Sequence, residues 1–225
     1  MSAWLMENEA MIRLMLAGLW ETLQMTLLAT LFSYLLGLPL GVWLVVTGKG
    51  GVRENPAVNQ ALGTVVNVLR SVPFLILILM LFPITRIVMG TTIGTRAAIF
   101  PLVISAFPYV ARMVESSLRE VDGGVIEAAQ SMGATTFQII RKVMLPESTP
   151  SLLNGLAISM TTILAYTAMA GAVGAGGLGK IAIDYGMYRF DMPKLYTASI
   201  LLVVLVQVIQ VFGTSASSMI DKLRR

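Results

Sequence analysis

Long apolar stretches separated by short polar ones set the pattern of this 225-residue chain. Thr22–Val46 carries no charge and is long enough to cross a bilayer with some tilt. Ala61–Leu81 is a second stretch, interrupted by Arg70 and Pro73. Ala97–Val114 is a third, with Pro101, Pro108 and Arg112 inside it. Its uncharged run between Arg96 and Arg112 is slightly short of a full span, and arginines that snorkel at both ends complete it. Leu152–Ala172 and Leu195–Phe212 supply the fourth and fifth. The pattern predicts an all-α, polytopic integral membrane protein with five transmembrane helices, organised as one transmembrane domain over residues 1–225. Met1–Ala10 reads as a short polar tail. It is not a secretory leader, because Glu7 and Glu9 precede Arg13 and the apolar run continues into a longer span.

The spans differ in character. The first contains Gly37-Leu-Pro-Leu-Gly41, which either lets another helix approach closely or is only a proline-kinked span. Arg70, beside Pro73, is expected to snorkel or to cap a broken helix. The fourth carries Asn154, Ser159, Thr161, Thr162, Tyr166 and Thr167, residue types that face other helices or an aqueous path and not lipid. Tyr166 and Met169 are i, i+3 neighbours on one face, with the small residues Ala168, Ala170, Gly171 and Ala172 around them. Tyr166, Met169, Ala170 and Gly171 are therefore the candidates for a translocation path or gate; plain bundle packing is the other reading of Met169. Basic residues in the loops favour the side holding Lys49–Glu54, Arg119–Glu147 and the C-terminal Lys222, Arg224 and Arg225 as cytoplasmic, with the N-terminus outside.

Composition narrows the chemistry. Charged residues are 12% of the chain, about half the usual share, which excludes a soluble enzyme as the default. With no cysteine and no histidine, disulfides, thiolate nucleophiles, Ser-His-Asp triads and Cys/His zinc sites are impossible. No cluster of acids suggests a carboxylate metal site. The net charge of +4 belongs to helix ends, since no basic and aromatic residues interleave on a polar face as nucleic-acid binding requires.

The stretch Glu115–Pro150 is too polar to span and too short to be a domain. It reads as helix, break, helix. Val125–Met132 forms the first helix, and Gly133 supplies a left-handed turn. Thr135-x-x-Gln138 fits a capping box for the second, which Pro146 and Pro150 then stop. Within it stand Glu127-Ala128-Ala129, Gly133 four residues on, nine further residues, and Val143-Met144-Leu145-Pro146.

This spacing resembles the signature loop of permease subunits from ATP-binding-cassette importers, with Val143 in place of the family's Ile. Trp20-Glu-Thr-Leu-Gln-Met-Thr26, Leu69-Arg-Ser-Val-Pro-Phe74, Pro108-Tyr-Val-Ala-Arg-Met-Val-Glu115 and Gly171-Ala-Val-Gly-Ala-Gly-Gly-Leu-Gly179 are similar to the small five-span, methionine-importing branch of that family. The resemblance implies a transport subunit and not an enzyme, in the bacterial inner membrane. It implies a homodimer working with two ATP-binding-cassette ATPase subunits and an extracytoplasmic substrate-binding protein. Methionine, L and D, would cross between the two copies by alternating access. The chain itself would carry no cofactor; ATP and magnesium belong to the ATPase. Glu127, Ala128, Ala129, Met132, Gly133, Ala134, Leu145 and Pro146 are then the expected ATPase-docking residues, and Met169 is soft enough to close a gate against its symmetry mate.

Gly174-Ala-Gly-Gly-Leu-Gly-Lys180 mimics a phosphate-binding loop, but Ile181 stands where a magnesium-holding Ser or Thr is needed, and no strand precedes it. It is expected to be a tight exit from the fourth span. Arg112, Glu115 and Arg119 are spaced to form i, i+3 and i, i+4 pairs, as bundle glue or vestibule lining. Three rivals stay open here. One is a permease of the same design for another amino acid or a quaternary amine. A self-sufficient channel or ion-coupled carrier is opposed by the lack of a mid-span acid. A structural membrane subunit leaves the loop signature unexplained.

Overall fold

The computed structural model describes the backbone of residues 2–224 and the side chains of residues 9–220. Its helices are α1 (Ser2–Thr47), α2 (Pro56–Ser71), α3 (Phe74–Met89), α4 (Thr95–Arg119), α5 (Gly123–Ser131), α6 (Thr136–Ile139), α7 (Leu145–Glu147), α8 (Thr149–Gly171), α9 (Gly177–Ile183) and α10 (Met192–Arg224). Ile140–Met144 and Asp184–Tyr188 are π-helical turns. Among the described residues there is no strand. Four helices are long and apolar enough to cross a membrane, through Glu9–Thr47, Thr95–Arg119, Thr149–Gly171 and Met192–Ile220.

The predicted second span, Ala61–Leu81, is not one helix. It is the pair α2 and α3, bent by 104°. Val72 is extended, with φ −85° and ψ 123°, as the residue before a proline prefers. Arg70 lies in the last turn of α2, where a cation meets the negative end of the helix. The pair also begins earlier than predicted, because Asn55 caps it by accepting from Val58 N (3.2 Å) and Pro56 is preset for a first helical turn. Counted as one broken span, it brings the crossings to five.

α1 likewise extends past the predicted start of its span, back to Ser2, through most of the stretch expected to be a polar tail. Glu9 and Arg13 pair along it at 2.6 Å. Its 46 residues, at about 1.5 Å each, give a helical path of roughly 69 Å, over twice the hydrocarbon thickness of a bilayer. The side chains of Lys222, Arg224 and Arg225, used in the orientation argument, lie outside the described residues.

The chain divides into two compact units, one of Met1–Leu31, Pro73–Ile104 and Met160–Ile209, the other of Phe32–Val72, Ser105–Ser159 and Gln210–Arg225. In the first, Met15, Leu178, Ile181 and Ala198 form a buried cluster. Here α9 lies backbone to backbone on α8. A β-carbon on Gly179 would stand 2.4 Å from Ala168 Cα, and one on Gly171 2.4 Å from Lys180 N. The start of α9 is tied to α1, where Glu21 Oε2 accepts from Gly177 N (2.6 Å) and Thr22 Oγ1 from Leu178 N (2.9 Å). Just before α10, the Lys194 hydrogen bond holds the Asp191 carboxyl below the usual carboxylate range.

In the second unit the Gly37/Gly41 spacing acts as a helix-approach site, and the partner is α4. A β-carbon on Gly37 would come within 2.8 Å of Phe107 O, and one on Gly41 within 2.6 Å of Ala111 O. Gly41→Val is expected to destabilise the protein by about 1–3 kcal/mol through overpacking. A thermal midpoint in detergent checks this; an unchanged midpoint would mean that α1 and α4 do not meet at this distance. Below that seam, Val42, Val45, Val46, Val110, Val114 and Leu118 bury themselves together with Ala129, Ile139 and Met144 from the 115–150 stretch.

Candidate functional site

The stretch after α4 builds a short, braced element. Asp122 starts α5 by accepting from Gly124 N (2.8 Å). Gly133 ends that helix in the left-handed region, φ +79°, as its sequence position predicts. Thr135 and Gln138 form the predicted capping box, with Gln138 N donating to Thr135 Oγ1 (3.4 Å) and Thr135 N to Gln138 Oε1 (2.8 Å). Pro146 does not stop the second helix. It lies within a helical run that continues from α6 through the π-helical turn Ile140–Met144 into α7, and the break falls at Ser148.

The helix period sorts the expected docking residues into two faces. Glu127, Ala128, Met132, Gly133 and Pro146 are exposed, Met132 at 82%. Ala129 faces the chain's own core, on the side of Ile126 three residues earlier, and Ala134 and Leu145 pack partly against the same core. Phe137 is 67% exposed and was not anticipated. Its position two residues before Ile139, which is buried and so lies on the opposite side of the helix, is the signal that could have found it.

The charged series at the end of α4 forms as spaced. Glu115 accepts from Arg112 Nη1 (2.5 Å) and from Arg119 Nη2 (2.9 Å), and Arg112 Nη2 reaches Asn67 Oδ1 (2.9 Å) on α2. Glu115 is buried, so the network fixes the end of α4 directly above the loop.

Of the path candidates, Tyr166 stacks on Phe74 with ring centroids 4.7 Å apart, and Met169 is half exposed. Ala170 is fully buried and Gly171 packs on α9. The glycine-rich segment is a turn between helices α8 and α9, with Gly176 and Gly177 at positive φ. A nucleotide-binding loop would need a strand there. Among the described residues, no three metal-ligating side chains come together.

Residues 37–223 match the family described as binding-protein-dependent transport system inner membrane component. The chain is 51% identical over 208 residues to the probable D-methionine transport system permease protein of Vibrio cholerae, covering 92% of each. It is 47% identical over 201 residues to the corresponding protein of Pasteurella multocida, covering 89% of this chain and 93% of that one. Its fold matches a chain of the MetNI methionine ABC transporter in an inward-facing conformation, with a TM-score of 0.93, 45% identity, and coverage of 94% of this chain and 98% of that one. The chain belongs to the family of inner-membrane components of binding-protein-dependent transport systems. It is a multi-pass transport subunit and not an enzyme.

Proposed function

We propose that this chain is the permease subunit of an ATP-driven importer that carries L- and D-methionine into the cytoplasm. Two copies act with two ATP-binding-cassette ATPase subunits, which hold ATP and magnesium, and an extracytoplasmic binding protein delivers substrate. Residues 1–225 serve as one transmembrane domain, with the loop in the cytoplasm and the N-terminus outside.

The observation that carries this reading is the two-faced loop. Ala129, Ile139 and Met144 bury one face on the ends of α1 and α4, while Glu127, Met132, Gly133 and Phe137 are left outward. Only Glu120–Asp122 separate α4 from α5, and only Ser148 separates α7 from α8. A push on the outward face therefore reaches two membrane helices with little slack, which is what coupling to ATPase closure requires. Met169, unbranched and exposed beside Tyr166, is suited to close against its copy in the second subunit. Methionine is supported by the names of the relatives, since no side chain here defines a substrate pocket.

The test is reconstitution of the permease with its ATPase and binding protein in vesicles, followed by uptake of labelled methionine. Uptake should require ATP and should be competed by both enantiomers. Methionine flux without ATP, or ATP-driven flux of a different amino acid alone, would overturn the assignment.

A further inference from the structure

A groove of about 420 Å³ opens on the loop side of the second compact unit. Its lining comes from the last turns of α1, the first turn of α2 and the start of the loop's second helix. Val42, Val46, Val58 and Ile140 make it largely apolar. Trp43, 60% exposed, stands at its side. Arg53 lies in the lining, exposed, with no ion pair and no side-chain hydrogen bond among the described residues. The one acid there, Glu54, is engaged elsewhere, since its Oε2 accepts from Gly50 N (3.0 Å).

We propose that this groove holds one anionic phospholipid of the leaflet on the loop side, with an acyl chain on the valines and the phosphate at Arg53. Three features select that occupant. The groove sits where the uncharged run of α1 ends and charged residues resume at Lys49 and Arg53, as they do beside a headgroup layer. An indole beside an apolar slot is the side chain that prefers that depth. The Arg53 guanidinium, which no described carboxylate pairs, supplies a charge that a zwitterionic lipid satisfies less well.

The experiment is native mass spectrometry of the detergent-purified permease with its ATPase bound, titrated with phosphatidylglycerol or phosphatidylcholine. One phosphatidylglycerol per permease copy should be retained, about fivefold more readily than phosphatidylcholine, as expected for one basic residue. Arg53→Ala should lower retention to the phosphatidylcholine level, while Arg53→Lys keeps most of it. Val58→Trp should fill the slot and remove both lipids without changing the charge. Equal retention of the two lipids, or no change in Arg53→Ala, overturns the proposal. So does a photoreactive residue at position 58 that crosslinks to the ATPase and not to lipid. None of these outcomes alters the transport reading, which is tested by uptake.

Discussion

Permease carrying Gly133→Trp is expected to purify without its ATPase, while Gly133→Ala keeps it. Both variants place a β-carbon at φ +79°, a strain of about 1–2 kcal/mol that is the same for each. Within the chain itself, nothing lies within 4 Å of that β-carbon, and position 133 is exposed, so both side chains leave the backbone into open space. The difference between the two variants therefore reports what covers the loop from outside. Glu127→Lys, on the same exposed face, should behave like the Trp variant. The ratio of ATPase to permease after gel filtration is the readout. Equimolar ATPase on the Trp variant would mean that the outward face is not the contact.

Glu115→Ala is expected to destabilise the protein by about 1.5–3 kcal/mol, because it removes the buried carboxylate that Arg112 and Arg119 share. Arg119→Ala should cost far less, about 0–1 kcal/mol. The Arg119 side chain is 48% exposed, against 10% for Glu115, and water screens its half of the network. Unfolding followed by tryptophan fluorescence in detergent separates the two. Equal losses would mean that Glu115 is solvated in the folded protein.

Much of this was readable in the residues, and the failures have physical reasons. Apolar runs mark where helices cross, but they do not mark where helices begin. α1 reaches back through Glu9 and Arg13 because an i, i+4 pair sustains a helix outside the apolar run. α2 starts at Pro56 because a cap and a proline, not hydrophobicity, set its first turn. Arg70 and Pro73 flagged the break in the second span, yet the bend angle depends on tertiary packing. The capping box at Thr135 is a local device, so its spacing sufficed. Pro146 misled because a proline that a π-helical turn accommodates and a proline that ends a helix look alike in a sequence. Ala129 is buried in the chain's own core, which the sequence could not announce because a small residue suits a docking cleft and a tight core equally well. The hold of Glu21 and Thr22 on α9 joins residues 156 positions apart, beyond any local pattern.

The seam where α9 rests on α8 has a genetic consequence. Gly171 and Gly179 each face backbone atoms across it, and atoms of the main chain cannot rotate out of the way as a side-chain tip can. Every missense change in a glycine codon adds at least a methyl group. In a saturation library selected for uptake, these two codons should thus tolerate only synonymous bases, whereas the codon for half-exposed Met169 should accept other flexible apolar residues.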